Sequence, residues 1–406
     1  MTKAIALVLV LWLITGRLAE AQTPAEETPQ VDIFDLARKV WDKTRPVEAA
    51  WDYTEPMRAF APVIGAKPSS GVLFGVAGNL AFYRGDPATT HISSVVTSLT
   101  FSTKGQTSFT DRFTIFARDD RWRLDADHRV QWTSLETYNL GTGADTTDGV
   151  NTDFDFVRLH HTAFYQVRPS LFAGAGLYFD NHYDVAPAED DEIEWADSPY
   201  LKYSADKGLP AEAQAAAGPS VDLMWDSRDS FINPRRGWFA KASYRVLLND
   251  FLGGDSSWQK VNLDVRAYRP VSASKRHALA VWLFTDQVVG GTAPFFDLPG
   301  TGLDTYGRSA RGYSEGQFRG ERLAYGEIEY RGTLMKNGLL GMVAFINTTT
   351  VSNEADGERM FDSFATGAGA GLRLSINKRS KTNLCFDVAF GKQGSRGVYL
   401  AVQEAF

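Results

Sequence analysis

Arg308 and Arg311 stand in a segment, residues 290–319, that also holds Gly290, Gly291, Gly300, Gly302, Gly307, Gly312 and Gly316. Fixed positive charge in so long a connection calls for an anionic partner. Glu327, Glu329 and Arg331 follow at every second position, and on an extended strand these three share one face while Ala324, Gly326, Ile328 and Tyr330 take the other. The chemistry on offer is a charge-assisted, bidentate ion pair between a loop arginine and two strand carboxylates. Partial desolvation would make that pair costly to break from one side. A connection of this length has a functional role or lacks order, and an arginine that pins it inward supplies the role.

Other constellations carry less chemistry. His160 and His161 are adjacent, so on a strand they face opposite sides and cannot share a metal, and the six histidines show no ligand spacing. No G-x-S-x-G occurs and no catalytic set emerges, so the sequence implies neither an enzyme nor a cofactor. The run Glu189, Asp190, Asp191, Glu192 and Glu194 reads as the solvated face of a long outer loop, with a calcium-bridged contact to lipopolysaccharide as the alternative.

The elements that position these residues follow from period and composition. Residues 1–21 have Lys3, an apolar run from Ala4 to Thr15 and an Ala19-Glu20-Ala21 cleavage pattern, which together indicate a signal peptide. Residues 22–57 form a short periplasmic leader in which Ile33, Phe34, Ala37, Val40 and Trp41 lie at helical spacing, either an amphipathic helix at a barrel mouth or a disordered tether. The single Cys385 rules out an intrachain disulfide, and a net charge of -7 excludes a nucleic-acid partner. Aromatic residues reach 13%, and two-residue alternation runs through 261–268, 384–390 and 398–406. An all-β transmembrane antiparallel barrel over residues 58–406 fits that combination.

Breaks between runs of about ten residues divide 58–406 into about sixteen strands, and every long break falls on one parity. That pattern predicts short periplasmic turns, long outer loops, both termini in the periplasm and a long inward-folding loop before strand 12. Trp122, Trp225 and Trp238 lie beside the short turns, where an interfacial girdle belongs. The terminal Phe406, after alternating Val398, Leu400 and Val402, resembles the sorting signal of outer-membrane barrels, although Glu404 replaces the usual apolar residue.

Arg311-Gly312-Tyr313, the strand with Glu329-Tyr330-Arg331, the stretch "GLLGMVAFINTTT" and the final Phe406 resemble the BamA/TamA-like superfamily of outer-membrane assembly and translocation barrels, the bacterial surface antigen family. The turn from Asp226 to Gly237 is similar to that family's turn between strands 8 and 9. The resemblance implies a loop tip of Arg311, Gly312 and Tyr313, with Glu329 as its first acidic partner. It places Asn347 where the family has a second acid, and Glu327 then stands in for the lost charge. An aspartate at 347 would be tolerated if Arg311 reached it. The resemblance also implies a weakly paired seam between the first and last strands, and here Pro62 and Gly65 thin the first.

Family members that insert barrels or secrete proteins carry periplasmic polypeptide-transport-associated domains, and residues 22–57 are too short for one. The expected role is therefore non-enzymatic work in outer-membrane biogenesis, placing or translocating protein or lipid, with a passive or gated pore or a structural barrel as the alternative. The expected partners are outer-membrane lipid and lipopolysaccharide and an outer-membrane or periplasmic protein.

Overall fold

Alternation of inward polar and outward apolar side chains builds one sixteen-stranded antiparallel sheet, seen in a computed structural model that describes residues 30–41, 52–67, 71–147, 149–188, 195–272, 274 and 276–406. The expected signal peptide, half of the leader and the acidic run 189–194 lie outside the described residues. The first half comprises β1 (Met57–Lys67), β2 (Gly71–Phe82), β3 (Ser93–Ser102), β4 (Thr107–Phe116), β5 (Trp122–Thr137), β6 (Val150–Arg168), β7 (Leu171–Pro187) and β8 (Gln214–Asp226). The second comprises β9 (Gly237–Leu247), β10 (Trp258–Pro270), β11 (Ala278–Gly291), β12 (Arg322–Thr333), β13 (Leu340–Val351), β14 (Ala365–Asn377), β15 (Thr382–Phe390) and β16 (Arg396–Val402). Each strand pairs with its neighbours in sequence.

Strand length departs from a uniform ten residues. β5, β6 and β7 run to 16, 19 and 17 residues, whereas β16 has only 7. The wall is therefore tall around β6 and low at the seam. The longest connections, 138–149, 188–213, 292–321 and 352–364, all leave the same end of the barrel. The opposite end is less uniform than its turn residues suggest, since 83–92 and 227–236 are longer than hairpin turns.

Among the described residues no ladder joins β1 to β16. β1 instead packs Ala59 and Ala61 against Ile376, Leu384 and Val402. Small apolar contacts close the seam where backbone hydrogen bonds do not, and Pro62 sits on an edge strand, where a missing donor is tolerated. The outer wall shows Phe60, Ile64, Phe74, Phe101, Leu223 and Phe386. Trp122 and Trp225 are half-exposed at the short-turn end, and Trp122 packs edge-on against Tyr165 at 5.0 Å. A bilayer supplies the apolar surroundings that such a surface needs.

Among the described residues two α-helices flank the barrel. α1 (Ile33–Trp41) starts with a reciprocal cap in which the Asp35 N–H donates to Asp32 Oδ1 at 2.9 Å and the Asp32 N–H to Asp35 Oδ2 at 3.2 Å. Those same acids dock it to the short-turn rim, Asp35 through Lys378 Nζ at 2.9 Å and Asp32 by accepting from the Lys378 N–H at 3.1 Å. α2 (Pro199–Lys207) begins at the Ser198 cap with proline in its first turn and ends at Gly208 in the left-handed region. Its Tyr200 and Tyr203 pack on Phe295 and Phe296 over the opposite mouth.

Candidate functional site

Residues 292–321, between β11 and β12, fold back into the lumen, and most of the segment is buried. The entry is held by the Phe295 N–H donating to Gln214 Oε1 at 2.9 Å and by Arg319 Nη1 donating to the Phe295 carbonyl at 2.8 Å. Farther along, Asp304 Oδ2 accepts from the N–H groups of Arg308 and Ser309 at 2.8 and 2.7 Å, turning the chain so that Arg311 meets the wall. Arg308 itself takes part through its backbone.

Arg311 is 1% exposed and lies among the carboxylates of Glu327, Glu329 and Asp387. Its Nη2 donates to Glu327 Oε1 and, at 2.5 Å, to Glu329 Oε2, while Nη1 donates to Asp387 Oδ2 at 2.8 Å. The guanidinium carbon stands 3.5 Å from the centre of the Phe345 ring on β13, which adds a cation–π contact. Removing Arg311 would leave buried carboxylates short of a cation where water cannot compensate, a loss on the order of 3–5 kcal/mol.

The tip on either side is fitted to its seat. Gly312 has φ 109°, and a Cβ there would lie 3.0 Å from the Phe390 carbonyl carbon and oxygen, so both conformation and space demand glycine. Its N–H donates to the Tyr399 hydroxyl at 2.9 Å. The Tyr313 hydroxyl donates to the Thr366 carbonyl at 2.6 Å and accepts from the Lys392 N–H at 2.9 Å. The tip thus touches β14, β16 and the connection between β15 and β16.

The structure brings Arg311, Gly312, Tyr313, Glu327 and Glu329 together, but it gives Asn347 a different part from the one the sequence suggests. Asn347 does not meet the guanidinium; its Nδ2 donates to the Arg311 backbone carbonyl at 3.0 Å. The further carboxylate comes from β15. Asp387 was visible in the sequence as a lone acid on the face it shares with Cys385 and Ala389, yet nothing in strand periodicity said which distant loop it would meet.

Asp387 extends the site towards the chain terminus. Its Oδ1 accepts from Arg373 Nη1 at 2.5 Å, and Arg373 Nε donates to Glu404 Oε2 at 2.7 Å. Gln403, at φ 81°, turns the chain off β16, so Glu404 points at Arg373 and Phe406 enters the lumen beside Tyr268 and Trp282. The Phe406 carbonyl accepts from Arg331 Nη2 at 2.7 Å, and Arg331 Nε donates to Glu329 Oε1 at 2.7 Å. Phe406 therefore stands inside the barrel, beyond the last strand, and Glu404 occupies its position because it has an arginine to meet.

The two adjacent histidines face opposite sides, as strand alternation requires. His160 Nε2 is 2.8 Å from Asp180 in the lumen, and His161 Nε2 is 3.0 Å from His128 Nε2 on the outer wall. Among the described residues no cluster of three or more such side chains could hold a metal.

Comparisons with known proteins converge on this architecture. No curated protein sequence matches the chain. BamA from Haemophilus ducreyi lacking POTRA domains 1-3 superposes with a TM-score of 0.53 at 14% identity, covering 86% of this chain and 69% of that one. CdiB from Escherichia coli superposes with a TM-score of 0.55 at 12% identity, covering 87% and 63% respectively. CdiB from Acinetobacter baumannii gives 0.54 at 11% identity, with 86% and 59% covered, so the chain spans about three fifths of each CdiB. Identities this low speak for the fold alone. The family model of the Omp85 superfamily domain, by contrast, matches residues 84–395, from ahead of β3 to beyond β15, and this outer-membrane barrel belongs to the Omp85 superfamily.

Proposed function

We propose that this barrel acts without catalysis in outer-membrane biogenesis, placing or translocating protein or lipid, and that Arg311 is the latch that keeps its loop in the lumen. Both termini face the periplasm in this reading, and the partners are outer-membrane lipid and lipopolysaccharide together with an outer-membrane or periplasmic protein. The observation that carries it is the chain of ion pairs from Arg311 through Asp387 and Arg373 to Glu404. The loop and the tail that follows the last strand are thereby joined by one buried network, next to a seam that no ladder closes among the described residues. A charge-assisted network of this kind is stable when complete and costly when one member leaves, which suits a two-position device.

Arg311→Ala tests the latch. The variant should show less heat-modifiable folded barrel on unheated gels and faster protease cleavage within 292–321. Wild-type mobility together with unchanged protection would sink the idea. A second reading, a passive or gated pore or a structural barrel, draws on the same buried loop, which would then be a constriction. In planar bilayers a steady, size-selective conductance from the unaltered protein would favour the pore, and a nearly closed barrel the biogenesis role.

A further inference from the structure

Beneath Thr305 and Tyr306 of the folded-in loop the lumen holds a cavity of about 120 Å³, several times the space that one ordered water requires. Its walls alternate cations with aromatic rings. Arg112, Arg123, Arg228, Lys241, Arg245 and Arg266 line it, against the carboxylates of Asp125, Asp127 and Asp264. Most of those cations already have acids: Arg266 takes Asp264 at 2.6 Å, Arg228 and Arg123 share Asp226 at 2.6 and 3.0 Å, and Lys241 lies 3.4 Å from Asp222.

Arg245 differs. Among the described residues no carboxylate pairs with it; it lies 3.9 Å over the Tyr178 ring, and its buried Nε has no hydrogen-bond partner. Arg112 Nε is likewise without a hydrogen bond, 3.4 Å from an Asp127 carboxylate that Arg129 already engages at 2.8 Å. Arg245 is thus a half-buried cation without a carboxylate among the described residues, and a diffusible anion in the cavity would offset its charge.

We propose that this cavity is a binding site for a phosphate-type oxyanion, held principally by Arg245 with Arg112 and Lys241. A tetrahedral oxyanion presents several acceptors at once, the geometry that guanidinium donors match best. The same chemistry could arrive as free phosphate or as the headgroup of an anionic lipid. Because Thr305 and Tyr306 roof the cavity, occupancy would also favour the inward loop; the Thr305 carbonyl already accepts from Arg129 Nη2 at 3.1 Å.

The full-length protein, refolded in detergent, is titrated calorimetrically at constant ionic strength with inorganic phosphate and, separately, with a short-chain phosphatidylglycerol. Saturable one-to-one binding of phosphate supports a free anion, and saturable binding of the lipid alone supports a headgroup. Binding of neither overturns the proposal. Arg245→Gln leaves no carboxylate orphaned, and it should weaken binding by about tenfold or more while heat-modifiable mobility shows the barrel folded. Unchanged affinity in that variant overturns the site. Arg322→Gln, which removes a half-exposed cation paired with Glu354, should bind as the unaltered protein does; an equal loss there would mean bulk charge alone and would also overturn it.

Discussion

At Arg311 the side chain and the main chain are recognised separately, and the division explains which residues a strand pattern could find. Glu327 and Glu329 were legible because a two-residue period puts them on the lumen face whatever the tertiary structure. Asp387 was not, because its meeting with Arg311 depends on how a closed wall brings β15 round to β12, and a local period carries no such distance. Asn347 was legible as a position but not as a role. Its amide donates to the Arg311 carbonyl and lies 3.5 Å from Glu327 Oε2, so Asn347→Asp would set an oxygen against two oxygens. The expected outcome is a loss of about 1–3 kcal/mol in urea unfolding followed by tryptophan fluorescence. Equal or greater stability would show the aspartate reaching the guanidinium instead.

Among the elements, the strands were the most readable, since each turns one face to lipid and one to the lumen. The long connection before β12 was readable as a loop from its glycines, but not its seat, which α2 provides from a separate part of the chain by packing Tyr200 and Tyr203 on the loop's own Phe295 and Phe296. That seat has a cost at Asp297, whose carboxyl is pushed up to about 7 by burial and by the neighbouring Asp180 charge. In the unfolded chain the group ionises near pH 4, so between about pH 4 and 7 the folded protein keeps a proton that the unfolded chain has released. Stability therefore falls as pH rises through that window. Asp297→Asn should leave the urea midpoint unchanged at pH 4 and raise it at pH 8, the stability gained being about 1.4 kcal/mol for each pH unit by which burial displaces the carboxyl. Matching midpoints at both pH values would place Asp297 in water.

The molecule as a whole is a sheet curled until its edges meet, with side chains closing what the backbone leaves open. Across the seam, Thr382 Oγ1 donates to Asn79 Oδ1 at 3.3 Å and Gln403 Nε2 to Ser94 Oγ at 2.9 Å, binding β15 and the segment after β16 to the second and third strands. Composition and alternation announced the barrel, while the inward tail at 403–406 was hidden because a single left-handed residue, Gln403, redirects it. Strand pairing confined to neighbours also bears on how quickly the protein forms. Every ladder can zip as a local hairpin, whereas the Arg311–Asp387 contact spans 76 positions and must await a nearly finished wall. Contacts made after the rate-limiting barrier govern escape from the native state rather than entry to it. Arg311→Ala should accordingly speed unfolding in lipid vesicles while leaving the refolding rate close to that of the unaltered protein, and a comparable slowing of refolding would place the arginine in the nucleus. The loop contact is then a timer on the native state, set only once the wall around it has formed.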